Sequence, residues 1–190
     1  MRCLLNLLVP EMALVLLCGI AALAQTPTYN RGRTPSAEEI RAWDIAIGPE
    51  GKELPPGSGT AQEGAKLYAE QCAACHGPTG EKVVPDAADL WPHLYSGRGR
   101  PPTPLVGGKG TLHTPNPVRT IGSFYPFATT IWDYINRSKP PKEPGSLSAD
   151  QVYALTAFLL YQNGIVRESA VMDAKSLPKI QMPNRGFRAN

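Results

Sequence analysis

The sequence predicts an all-α fold of short helices joined by long irregular loops. Three observations predict it. Two capping boxes, Thr60-Ala61-Gln62-Glu63 and Ser148-Ala149-Asp150-Gln151, each open an apolar run at helical spacing. A third run at that spacing follows Pro126. The chain also carries 18 glycines and 20 prolines in 190 residues, too many for long helices and still below the disordered range. A chain punctuated this way forms little side-chain core of its own, so part of its interior has to come from elsewhere.

The elements follow in order. Residues 12–24, MALVLLCGIAALA, form a short apolar run ending in Ala22-Leu23-Ala24, a small-x-small site before Gln25. With Arg2 ahead of it, residues 1–24 read as a secretory signal peptide, which places the mature chain in the periplasm. The run is shorter than the roughly 20 apolar residues of a membrane span, so no span is expected after cleavage. An uncleaved anchor is the alternative, because the positive region is thin and Glu11 adjoins the core.

Residues 25–59 are expected to form an N-terminal arm and a short helix. That helix starts near Ser36, with Ile40, Trp43, Ile45 and Ile47 on its apolar side. Residues 48–59 are turn-rich. The Thr60 box opens a helix through Ala65, Leu67, Tyr68 and Ala69 into Cys72. Gly64 shares a face with Tyr68, and a glycine inside a helix implies close approach of a second helix. Residues 77–123 have almost no period. So long a loop fits a compact domain only if it wraps a cofactor. Pro126 suits the first turn of a helix to about Arg137, with Phe127, Ile131, Trp132 and Ile135 apolar. The Ser148 box opens the longest helix, with Val152, Leu155, Phe158, Leu159 and Tyr161 apolar, stopped by Asn163-Gly164. Residues 60–166 thus form the principal domain, and 167–190 an extension expected to pack on it.

The chemistry sits in Cys72-Ala73-Ala74-Cys75-His76. Cys-x-x-Cys-His is the attachment pattern of c-type haem: each sulfur adds to a vinyl group, and the adjacent imidazole ligates the iron. Of the 4 cysteines, Cys3 and Cys18 would leave with the signal, so Cys72 and Cys75 have no other sulfur to pair with. A redox dithiol or half of a zinc site would look similar locally. A zinc site wants a second ligand pair at short spacing, and none is present. A dithiol wants a strand leading into the motif, whereas a helix leads in here. The net charge of +3 is unclustered and gives no case for nucleic acid.

His76 leaves one axial position open. Met182, stiffened by Pro183, ranks first, and Met172 is the alternative. His93 and His113 offer imidazoles.

Cys-x-x-Cys-His-Gly, the middle aromatic-Pro helix and the run Pro144-Gly145-Ser146-Leu147-Ser148 with its following helix resemble class I cytochromes c. Residues 122–135, 163–166, 172–179 and 182–187 further resemble the monohaem cytochrome subunits of sulfite and sulfane dehydrogenases. The resemblance implies the class I cytochrome c fold around one covalent haem c. It implies an electron-transfer subunit without catalysis of its own. Its partners would be a molybdenum-cofactor dehydrogenase subunit and a downstream cytochrome or oxidase. Related cytochromes serve other dehydrogenases, such as quinoproteins, and a ligand-binding haem sensor or peroxidase is a further alternative. Pro78 and the loop with Arg98 and Arg100 are candidates for the partner surface or for haem propionates. One departure stands out: many relatives carry Met-Pro where this chain has Lys139-Pro140, and that methionine can be the axial ligand. Lys139 is therefore a further ligand candidate, in its neutral form.

Overall fold

The computed structural model describes residues 31–82 and 103–186. The expected signal peptide lies outside these residues, as do His93, Arg98 and Arg100. The chain divides into two units between Trp43 and Asp44. Residues 44–59 fall in the second unit.

The first unit contains helix α1, Ala37–Trp43. Ser36 Oγ accepts the Glu39 N–H at 3.2 Å, and the Glu39 carboxylate accepts the Ser36 N–H at 2.8 Å. Arg33 pairs with Glu39, and together with the Ser36 N–H it holds that carboxyl down at about 2. No residue of α1 is buried. The helix ends at Trp43, so Ile45 and Ile47 are not on its apolar side as expected.

The second unit is built on α2 (Ala61–Gln71), α3 (Ala73–His76), α4 (Ala128–Ser138) and α5 (Ala149–Gln162). Short 3-10 turns occupy Thr111–His113 and Leu177–Lys179. Both capping boxes form with both of their hydrogen bonds. The N-cap of α4 is Phe127, so Pro126 stands just ahead of the helix rather than in its first turn. A fixed φ and no N–H suit that approach equally well.

Two short strands accompany the helices. β1 (Ser58–Thr60) and β2 (Val171–Asp173) pair antiparallel, with Gly59 opposite Met172. Three-residue strands are too short to show an alternation in sequence, and this pair joins segments more than a hundred residues apart.

α5 is the central helix. Every residue from Val152 to Leu160 is buried, as befits a helix apolar all round, while Tyr161 is partly exposed at its end. α2 crosses α5 with no side chain between their backbones: a Cβ on Gly64 would overlap the Ala154 carbonyl, and one on Gly59 would overlap the Ala154 backbone. Tyr68 and Phe158 flank the crossing with ring centroids 4.9 Å apart. α4 packs on α5 through Trp132 and Tyr153, centroids 5.4 Å apart. Buried Asp133 accepts the Ile47 N–H at 3.2 Å and Arg137 Nε at 3.0 Å, tying the 44–55 segment to α4.

Asn163, expected only to stop α5, also organises the loop before α4. Its Nδ2 donates to Leu159 O at 2.8 Å and to Leu105 O at 3.2 Å, and its Oδ1 accepts the Gly107 N–H at 3.1 Å. The C-terminal segment is pinned at several points. Met172, Leu177 and Met182 are buried, Asn184 Nδ2 donates to Phe124 O, and the Arg185 guanidinium lies 5.4 Å from the Phe127 ring centroid.

Candidate haem site

α2 carries the chain directly into the motif. The Cys72 N–H donates to Tyr68 O at 2.9 Å and closes α2. Cys72 then opens the one-turn helix α3: its carbonyl accepts the Cys75 N–H at 3.1 Å and the His76 N–H at 3.0 Å. The two sulfurs and the imidazole thus project from a single turn. Gly77 takes φ +72°, a left-handed value that lets the chain leave at once. The Tyr68 hydroxyl donates to Gly77 O at 3.1 Å and fixes that exit from below, and burial holds the phenol protonated.

Cys72 and Cys75 form no disulfide, and both are half-buried. Burial pushes the Cys72 thiol up to about 11. A redox dithiol needs the opposite, a thiolate stabilised near neutral pH. Among the described residues no cluster of three or more His, Cys, Asp or Glu is arranged to hold a metal ion.

His76 is set for ligation. Its Nδ1 lies 3.3 Å from Thr103 O. A carbonyl can only accept, so Nδ1 carries the proton and Nε2 keeps its lone pair. Burial lowers the imidazole pKa, and the Lys139 charge lowers it further, against the hydrogen bond to Thr103. The ring is therefore neutral and oriented, as an iron ligand must be. Thr103 was not legible in the sequence, because it lies 27 residues from His76 in an unpatterned loop. The loop is anchored where Gly80 O accepts the N–H groups of Leu105 at 2.8 Å and Val106 at 3.1 Å.

The other ligand candidates fall in different places. Met172 lies in β2 opposite Gly59, and it retains 3% exposure. Met182 is also 3% exposed and belongs to the core cluster that holds Ile131, Trp132 and Leu177. His113 closes an exposed 3-10 turn. Lys139 caps the C-terminus of α4 and is half-buried. Its charge bears on Cys72, His76 and Tyr125.

Two unbridged thiols and a neutral, oriented imidazole on one helical turn suit covalent haem attachment, and helices with loops around them are the frame of a c-type haem protein. The chain belongs to the cytochrome c family, whose model matches residues 61–163. It carries a covalently bound c-type haem accordingly and transfers electrons. The matched segment runs from the start of α2 to Asn163, so β1 and β2 lie just outside its two ends and pair there. A chain in the crystal structure of the sulfane dehydrogenase SoxCD from Paracoccus pantotrophus is similar to this one. The TM-score is 0.67 and the identity 38%, over 86% of this chain and 73% of that chain. No curated protein gives a significant match. No helix among the described residues is long and apolar enough to cross a membrane.

Proposed function

We propose that this cytochrome is a periplasmic subunit that accepts single electrons from a molybdenum-cofactor dehydrogenase oxidising sulfite or sulfane sulfur. It then passes them to a downstream cytochrome or oxidase. The observation that carries this reading is the likeness to the sulfane dehydrogenase chain at 38% identity over 86% of this chain. That coverage extends past the family segment of 61–163. The apolar N-terminal run and its cleavage site support export.

In this reading Cys72 and Cys75 hold the haem by thioether bonds and His76 Nε2 ligates the iron. The haem supplies a one-electron ferric/ferrous couple. The chain's own residues would orient it: Thr103 fixes the imidazole tautomer and Tyr68 holds the turn. Met182 and Met172, both enclosed by protein, serve as packing residues.

The test is purification of the tagged chain from its native host, followed by rapid-mixing spectroscopy with sulfite and with a sulfane-bearing substrate. Co-purification of a molybdenum protein and haem reduction on substrate addition are expected. Co-purification of a quinoprotein, with reduction by an alcohol or a sugar instead, contradicts the reading.

A further inference from the structure

We propose that Asn163 is a positioning residue for the axial imidazole: its amide clamps the 105–107 segment, and through Pro104 that clamp holds the Thr103 carbonyl on His76 Nδ1. The inference rests on the haem reading above and deepens it.

Thr103 O lies 3.3 Å from His76 Nδ1, and its place is set by the chain that follows it. The next residue is Pro104. A proline has a fixed φ and confines the residue before it to extended backbone. The Thr103 carbonyl and Leu105 therefore move as one short, stiff unit.

Leu105 is gripped from two sides. Its N–H donates to Gly80 O at 2.8 Å, which ties it to the exit from the motif. Its carbonyl accepts the Ile121 N–H at 3.2 Å and Asn163 Nδ2 at 3.2 Å. Two residues on, the Gly107 N–H donates to Asn163 Oδ1 at 3.1 Å. The amide is anchored in turn to α5, where Nδ2 also donates to Leu159 O at 2.8 Å. Two carbonyls meet its nitrogen and an N–H meets its oxygen, so the amide has one orientation that satisfies all three. The fit is close: a Cβ on Gly122 would overlap Asn163 Oδ1.

The two sides of the His76–Thr103 hydrogen bond thus hang from two crossed helices. His76 follows the end of α2. Thr103 is tied to the end of α5 by Asn163. α2 and α5 cross at Gly64 and Ala154. One amide therefore carries the register of the crossing to the imidazole.

A carbonyl that accepts from Nδ1 makes Nε2 a stronger donor to a metal. A stronger donor favours the ferric state and holds the potential down, a second-shell effect on the haem couple. Loosening the clamp should raise the potential.

The experiment is redox titration of the full-length holoprotein, with solvent exchange of the His76 Nδ1 proton followed by nuclear magnetic resonance in the reduced state. Asn163→Asp keeps the shape, but a carboxylate offers no donor to the two carbonyls. Asn163→Ala and Asn163→Asp should both raise the potential. Both should quicken the exchange on the order of tenfold, the worth of one hydrogen bond. Pro104→Ala leaves the amide's own hydrogen bonds in place and frees Thr103 from them, so it should shift both readouts in the same direction. Ser148→Ala, which removes the cap at the opposite end of α5, should change neither. Wild-type potential and exchange in Asn163→Asp or in Pro104→Ala overturn the proposal. Equal shifts in Ser148→Ala overturn it as well, because general loss of stability then accounts for them. Haem staining of the denatured wild type tests the haem reading separately. An unstained band overturns both readings, whereas a stained band with unmoved potentials overturns this one alone.

Discussion

α2 serves two regions built on opposite principles. At Gly64 it crosses α5 backbone to backbone, and the Ala154 carbonyl fills the space a side chain would take. Two turns later, at Cys72–His76, the side chains that carry the motif are only half-buried. The crossing is closed by protein alone. The motif turn is organised by directed hydrogen bonds, from Tyr68 to Gly77 and between His76 and Thr103. Hydrophobic burial thus holds the scaffold, and polar contacts aim the ligating groups. Damage to the first region should appear as lost stability, and damage to the second as altered haem chemistry with the scaffold intact.

The largest effect should come from the closed region. Trp132 is 1% exposed and its ring lies tilted against Tyr153, so Trp132→Ala should cost about 3–5 kcal/mol. Denaturant unfolding of the holoprotein measures it. Gly64→Ala should cost ~1–3 kcal/mol by forcing α2 off α5, read by the same method. Asp133→Ala removes the acceptor for the Ile47 amide and for Arg137. A loss of about 1–3 kcal/mol is expected, with faster amide exchange at Ile47. Had the motif turn been buried like the crossing, His76→Ala would destabilise the chain comparably. It should instead change the visible spectrum while leaving the far-ultraviolet circular dichroism of the helices in place. Ser148→Ala, which removes the α5 N-cap, should cost ~1 kcal/mol.

The smallest effect is a pH dependence at the strand pair. Hydrogen bonds from the Ser176 N–H at 2.7 Å and the Lys175 N–H at 2.8 Å help hold the Asp173 carboxyl below its usual range. A depressed carboxylate pKa contributes stability that is fully present above the unfolded value of about 3.9 and is lost as pH falls through the folded value. Amide exchange at Lys175 and Ser176 should therefore quicken in acid before exchange in α5 does.

Both capping boxes, Gly64 and the Cys72–His76 motif were readable because each is a local pattern whose physics is complete within a few residues. What was unreadable depends on contacts between distant segments. Thr103 meets His76 across a loop, Asn163 gathers Leu105 and Gly107, and β1 finds β2 only after the helices are placed. Residue type ranked Met182 as a ligand, since sulfur beside a proline looks like a presented ligand. Its burial within the core cluster is a property of packing that spacing does not encode. Lys139 stood out in sequence only as a departure from a resemblance. Its charge lowers the pKa of Cys72 and His76 although it stands at the end of another helix.

The central claim is that Cys72 and Cys75 carry one haem covalently. Intact-mass measurement of the protein after acid-acetone extraction tests it most directly. The wild type should retain the mass of one haem, and the Cys72→Ser, Cys75→Ser double variant should retain none. A wild type that emerges at its bare polypeptide mass, with the two thiols free or joined in a disulfide, would contradict the account.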